Sequence, residues 1–238
     1  MDNKRTYALI AAGILLVLAM GLYVGLAKDK VLEKKEEKQV TADEKKFKKE
    51  YESLNGVVGE GRENAYVDTK IPAQNKMIYA SKEEILSLLE KGTGIIYFGF
   101  PECPWCRNAL PILIEAAKEE SVSKIYYYNA KEDRDEKIIK DGKISTEKEG
   151  TDFYKKVLEN LGDKASFYDG LDDKSIKRLY FPTIVFVKEG EILSIHESTV
   201  ESQEDASIPL TKKQRTELKD IYVKGMTSVY GSVCDDKC

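Results

Sequence analysis

The stretch "YFGFPECPWCRNALP", Tyr97–Pro111, holds Cys103 and Cys106 with Pro104 and Trp105 between them. Upstream, "GIIYFGF" is an unbroken apolar run and reads as a strand buried on both faces. Downstream, "NALPILIEAAKEE" has the apolar spacing of a helix, interrupted by Pro111. A C-x-x-C between such a strand and such a helix puts Cys103 at the helix N-terminus. Free backbone N–H groups and the helix dipole favour negative charge there. The thiolate is the reactive form of cysteine, so Cys103 reads as the exposed nucleophile. Pro104 suits the first helical position, where its missing N–H would have had no partner. Cys106 falls about one turn on and reads as the more buried, resolving thiol. Glu102 is expected to oppose thiolate formation at Cys103, and Arg107 to assist it. Trp105 is expected to be exposed and to contact substrates.

Two further readings of the pair stay open on spacing alone. One is a four-cysteine zinc site completed by Cys234 and Cys238; the other is a purely structural disulfide. A histidine-rich zinc centre is excluded, because His196 is the single histidine, and it sits in a strand pattern as an ordinary strand residue. Net charge is −4, from 38 basic and 42 acidic residues, which argues against a nucleic-acid surface. No metal and no nucleic acid are expected.

Working outward, "KMIYA" reads as a short strand and "SKEEILSLLEKG" as a helix. Ser81 and Glu84 form its capping box, Ile85, Leu88 and Leu89 its apolar face, and Gly92 its end. "KIYYYNA" is another strand, in which Tyr126, Tyr127 and Tyr128 alternate across the sheet. The segment 131–178 is charged and mostly helical in pattern, notably "TDFYKKVLENLG". "FPTIVFVKEGEILSIHEST" gives two strands joined at "KEGE", a hairpin. "TKKQRTELKDIYVKGMTSVYG" is a closing amphipathic helix with Leu218, Ile221, Tyr222 and Met226 on one side.

The order β-α-β, then "FPECPWC", then α-β, then "YFPTIVFVKEGEI" and a last helix resembles the thioredoxin superfamily over roughly residues 76–231. The resemblance implies an α/β fold with a central mixed β-sheet flanked by helices. It implies thiol–disulfide exchange through the CPWC pair, with no cofactor beyond the redox-active disulfide. It also implies a cis-proline at Pro182, with Phe181 and Thr183 flanking the substrate groove, and assigns Pro111 to the proline that kinks the family's active-site helix. In place of the family's buried acid, six residues before the first cysteine, this chain has Tyr97. In place of the tryptophan before that cysteine it has Glu102. Among subfamilies, it resembles the membrane-anchored bacteriocin transport accessory protein group of Gram-positive bacteria.

At the front, "YALIAAGILLVLAMGLYVGLA", residues 7–27, carries no charge and is long enough to span a bilayer of roughly 30 Å. It is expected to be a transmembrane anchor, with residues 1–6 as a cytoplasmic head. A cleaved signal ending at Ala27 is the alternative. Residues 28–62 are dense in Lys and Glu and read as a solvated, partly helical stalk, with Phe47, Tyr51 and Leu54 at helical spacing to dock its end. The domain is expected over 63–231, with an insertion at about 131–178. Residues 232–238 form a tail carrying Cys234 and Cys238. That second pair reads either as a small stabilising bridge or as a tethered relay to Cys103–Cys106.

The expected function is an extracytoplasmic, single-pass membrane thiol–disulfide oxidoreductase. Its partners would be cysteine-containing exported proteins and a separate redox partner. The rival is a non-catalytic accessory module of an export or assembly system.

Overall fold

The computed structural model describes residues 40–231. The expected anchor, the first part of the expected stalk (28–39) and the Cys234–Cys238 pair lie outside them. Among the described residues no helix is long and apolar enough to cross a membrane.

Five strands form one mixed sheet in the order β1-β3-β2-β6-β7: β1 (Met77–Tyr79), β2 (Gly94–Phe98), β3 (Ile125–Tyr128), β6 (Thr183–Lys188) and β7 (Glu191–Glu197). β3 runs parallel to β1 and β2, whereas β6 runs antiparallel to β2 and β7. β2 is the central strand and is buried along its whole length, as its unbroken apolar run requires. The fold is thus α/β, a central mixed sheet with helices on both faces.

Strand alternation sorts the side chains of β2. Tyr97 faces one helical layer, and Phe98 faces the other. On the Tyr97 side lie α1 (Ala42–Glu52), α3 (Pro104–Glu119) and α5 (Lys212–Tyr230), of which α3 and α5 pack together. On the opposite side lie α2 (Lys82–Lys91) and α4 (Asp152–Leu161), also packed together. Ser81 and Glu84 form the capping box of α2, and Gly92 ends it. The β6–β7 turn places Glu189 at φ 53° and Gly190 at φ 79°, the left-handed pair that a tight hairpin needs. A side chain on Gly190 would also strike the Glu90 backbone.

Two expectations about organisation are corrected. The packed domain begins before residue 63, because α1 belongs to it. Phe47 and Tyr51, inside the segment read as stalk, are fully buried. Their rings join Tyr97 and Tyr127 in one aromatic cluster, with Phe47 4.9 Å from Tyr127 and Tyr97 5.7 Å from Tyr127. Thr41 and Glu44 cap α1 reciprocally, and the Glu44 carboxylate also accepts the Lys76 N–H at 2.9 Å, tying the helix to β1. Phe47 and Tyr51, four residues apart, form the buried stripe of this helix, and its Lys and Glu residues cover the solvated face.

The segment 131–178 is not mostly helical either. It opens with a two-stranded hairpin, β4 (Glu136–Lys140) and β5 (Lys143–Lys148), before α4. Asp141 and Gly142 both adopt positive φ and make its turn, a signal that "KDGK" carries in the sequence. Asp133 fixes the root of the segment. Its carboxylate accepts from Lys82 Nζ at 2.5 Å, Tyr128 Oη at 2.8 Å and Thr151 Oγ1 at 2.9 Å.

Candidate active site

Cys103 is the N-cap of α3, with extended backbone, and Pro104 occupies the first turn. The Cys103 sulfur accepts the Cys106 N–H at 3.2 Å, so a thiolate there satisfies a donor that the helix leaves free. Its other neighbour is the loop before β6. The Phe181–Pro182 bond is cis, and the Phe181 carbonyl lies 3.5 Å from Cys103 Sγ. Cysteine and proline loops, far apart in the chain, therefore meet at one sulfur. Cys103, expected to be exposed, is only 4 % exposed, and Cys106 is fully buried.

The two thiols are pulled apart in acidity. Burial raises the Cys103 pKa, but hydrogen bonds from Cys106 and from the Cys106 and Trp105 backbone outweigh it, and the Arg134 charge adds to them. The net result is a thiol below its usual range. Burial is also the largest influence on Cys106, and here the adjacent Cys103 reinforces it. Cys106 thus stands well above the usual thiol range, with only the Phe100 backbone and the Tyr97 hydroxyl opposing. A nucleophile that ionises first, beside a thiol that keeps its proton, is the division of labour that disulfide exchange requires.

Several residues singled out from the sequence do something other than expected. Arg107 does not attend Cys103. Its guanidinium is 1 % exposed and points away, donating to the carbonyls of Val67 (2.6 Å), Tyr51 (2.8 Å) and Pro101 (3.1 Å) and to Asn55 Oδ1 (2.5 Å). It ties the C-terminus of α1 to the loop before α3. The cation that does act on Cys103 is Arg134, from the insertion, and sequence position gave no hint of it. Its guanidinium carbon lies 5.0 Å from the Phe181 ring, which meets Phe100 edge-on at 5.3 Å. Glu102 is exposed and is not among the largest influences on Cys103. Trp105 is half-buried and packs on the core rather than standing free. Thr183 is fully buried, bonding the Tyr180 carbonyl at 2.6 Å and pairing with Phe98, so its side chain lines no groove. Phe181 is the member of that trio whose carbonyl lies against Cys103, and Pro182 follows it through the cis bond.

Pro111 sits inside α3 without ending it. Its missing N–H frees the Arg107 carbonyl one turn back, and the buried Thr69 hydroxyl bonds that carbonyl at 3.2 Å. His196 is a half-buried strand residue whose Nε2 lies 2.7 Å from the Thr199 carbonyl, and burial lowers its pKa. Behind the dithiol, Tyr97 is fully buried. Its hydroxyl shares the space above Gly99 with the Cys106 sulfur and lies 2.9 Å from the hydroxyl of Tyr51.

No protein-family profile matches the chain, and no curated protein matches it in sequence. Among solved structures it is similar to oxidised thioredoxin O2 from Arabidopsis thaliana, at 15 % identity and a TM-score of 0.33, over 63 % of this chain and 96 % of that one. It is similar also to the J-Trx1 fragment of ERdj5, at 13 % identity and a TM-score of 0.33. The match covers 65 % of this chain and spans about half, 54 %, of that one. At that distance neither likeness bears on substrate or mechanism.

Proposed function

We propose that the chain is a thiol–disulfide oxidoreductase in which Cys103 attacks a substrate disulfide and Cys106 resolves the product. The observation that supports this best is the placement of Cys103 Sγ between the Cys106 N–H and the carbonyl of Phe181. A helix N-terminus stabilises the thiolate, and the loop before β6 presents backbone next to it. In the reductive direction, the Cys103 thiolate attacks one sulfur of the substrate disulfide, and the other sulfur leaves as a thiolate. Cys106, once deprotonated, attacks Cys103 Sγ. The Cys103–Cys106 disulfide forms, the substrate departs as its second thiolate, and the protons lost by the protein thiols pass to the two substrate thiolates. The oxidative direction is the same sequence reversed.

The placement of this chemistry outside the cytoplasm, on cysteines of exported proteins, rests on the uncharged stretch 7–27 and the short basic head before it. Replacing Cys103 with Ser is expected to abolish both insulin reduction and dithiol oxidation, while Cys106→Ser accumulates mixed disulfides on Cys103. Undiminished activity in the Cys103→Ser protein rules the proposal out, whereas full biological function in a Cys103/Cys106 double serine variant favours the accessory-module reading.

A further inference from the structure

Cys106 has to lose its proton in the resolving step, yet it lies in a fully buried site. The ionisable side chains that face it are Cys103, Tyr97 of β2, Tyr51 of α1, Tyr127 of β3 and Tyr222 of α5. None of them is a carboxylate. The Tyr97 hydroxyl and the Cys106 sulfur face one another above Gly99, and the Tyr51 hydroxyl stands 2.9 Å behind that of Tyr97. Gly99 makes room for this arrangement. A methyl group on it would lie 2.5 Å from Tyr97 Oη and 3.1 Å from Cys106 Sγ, so both groups converge over the one residue that leaves the space open.

We propose that the Tyr51–Tyr97 hydroxyl pair is the machinery that lets Cys106 ionise, with Tyr97 donating its hydrogen to the developing Cys106 thiolate and Tyr51 donating in turn to the Tyr97 oxygen. Tyr97 faces the reacting sulfur across the space above Gly99, and Tyr51 acts through Tyr97, so both are positioning residues. The pair works as a fixed donor and not as a base. Burial holds both phenols well above their ordinary range, so Tyr97 keeps its own proton throughout. The proton of Cys106 goes to solvent, and the departing substrate thiolate takes one up. The Cys106 lone pair forms the new S–S bond as the bond from Cys103 to substrate breaks. A donor that never titrates predicts a resolving step governed by one ionisation, that of Cys106 itself.

This inference rests on the dithiol reading, and one assay separates the two. The reduced full chain, with Cys234 and Cys238 replaced by Ser, is mixed with 5,5′-dithiobis(2-nitrobenzoate) as the disulfide probe. Attack by Cys103 releases the first thionitrobenzoate, and attack by Cys106 on the resulting mixed disulfide releases the second. Tyr97→Phe keeps the ring and its packing. It is expected to leave the first release unchanged and slow the second about tenfold, the scale of one hydrogen bond to a charged group. The apparent pKa of the second release should move up by about one unit, since tenfold corresponds to one unit. Tyr51→Phe is expected to slow the second release about threefold with a smaller upward shift, and it tests the pair independently should Tyr97→Phe fail to fold. An unchanged second release in both variants, or equal slowing of both releases, overturns the donor role while the dithiol reading stands. A parent chain that gives no second release overturns the dithiol reading itself.

Discussion

Cys103 and Cys106 are three residues apart and belong to two different surroundings. Behind Cys106 stand regular elements only: β2 supplies Tyr97, α1 supplies Tyr51, and the groups are neutral, aromatic and sealed from solvent. Beside Cys103 stand the loop before β6 and the irregular start of the insertion, which bring the Phe181 carbonyl and the Arg134 charge. Cys106 thus faces fixed hydroxyl dipoles inside the core, where partial charges are unscreened. Cys103 also feels the half-buried Arg134, a charge that salt screens. The two thiols influence one another, and each has surroundings of its own.

The sharpest way to break that division is at Arg107, which the sequence places next to the dithiol and the structure assigns to the scaffold. Arg107→Ala strips the donors from three carbonyls, at about 1 kcal/mol each, so a loss near 3 kcal/mol in urea unfolding is expected. The Cys103 pKa of the folded variant should not move. A raised Cys103 pKa with unchanged stability restores Arg107 to the nucleophile's side.

A smaller effect is expected at Asp133, which roots the insertion. Burial raises its pKa, but hydrogen bonds from Lys82, Tyr128 and Thr151 more than offset this and leave it below the ordinary carboxylate value. A depressed folded pKa means that its contribution is present above the unfolded value of about 3.9 and disappears as pH falls through the folded one. Asp133→Asn should therefore cost about 1–2 kcal/mol near neutral pH and progressively less below pH 4, seen as two urea-stability curves that converge on acidification. Parallel curves count against the carboxylate's role.

The smallest effect, and the most direct probe of the nucleophile's side, is Arg134→Gln. It should raise the Cys103 pKa by roughly half a unit in low salt and less in high salt, as read from the pH dependence of iodoacetamide alkylation. The Cys106 acidity should not follow. A shift that salt does not diminish would place the charge inside the core and erase the contrast.

The core side of this contrast was largely legible in the sequence. The apolar run before the motif, the Ser81–Glu84 box and the "KEGE" turn each dictate a local geometry by strong short-range physics. Cys103 at a helix N-terminus followed from the same logic. What could not be read was which long side chain reaches which atom. Arg107 and Arg134 carry the same group, and only tertiary packing sends the nearer one away and the farther one in. The docking of α1 was legible in the helical spacing of Phe47 and Tyr51, but its Lys and Glu residues dominate the pattern and set it outside the domain, whose core both rings in fact enter. The β4–β5 hairpin was masked likewise, since its exposed, charged strands lack the apolar alternation that marks a strand packed on a core.

Asp133 and Arg134 are consecutive, one fastening the insertion to α2 and β3 and the other charging the space beside Cys103. Whatever sequence fills the loop beyond them, the backbone link makes fastening and charging inseparable. The segment 131–178 is therefore bound into the fold at both levels, its helix α4 sharing the core through Phe153, Tyr154 and Val157 while its first residues set the charge beside Cys103.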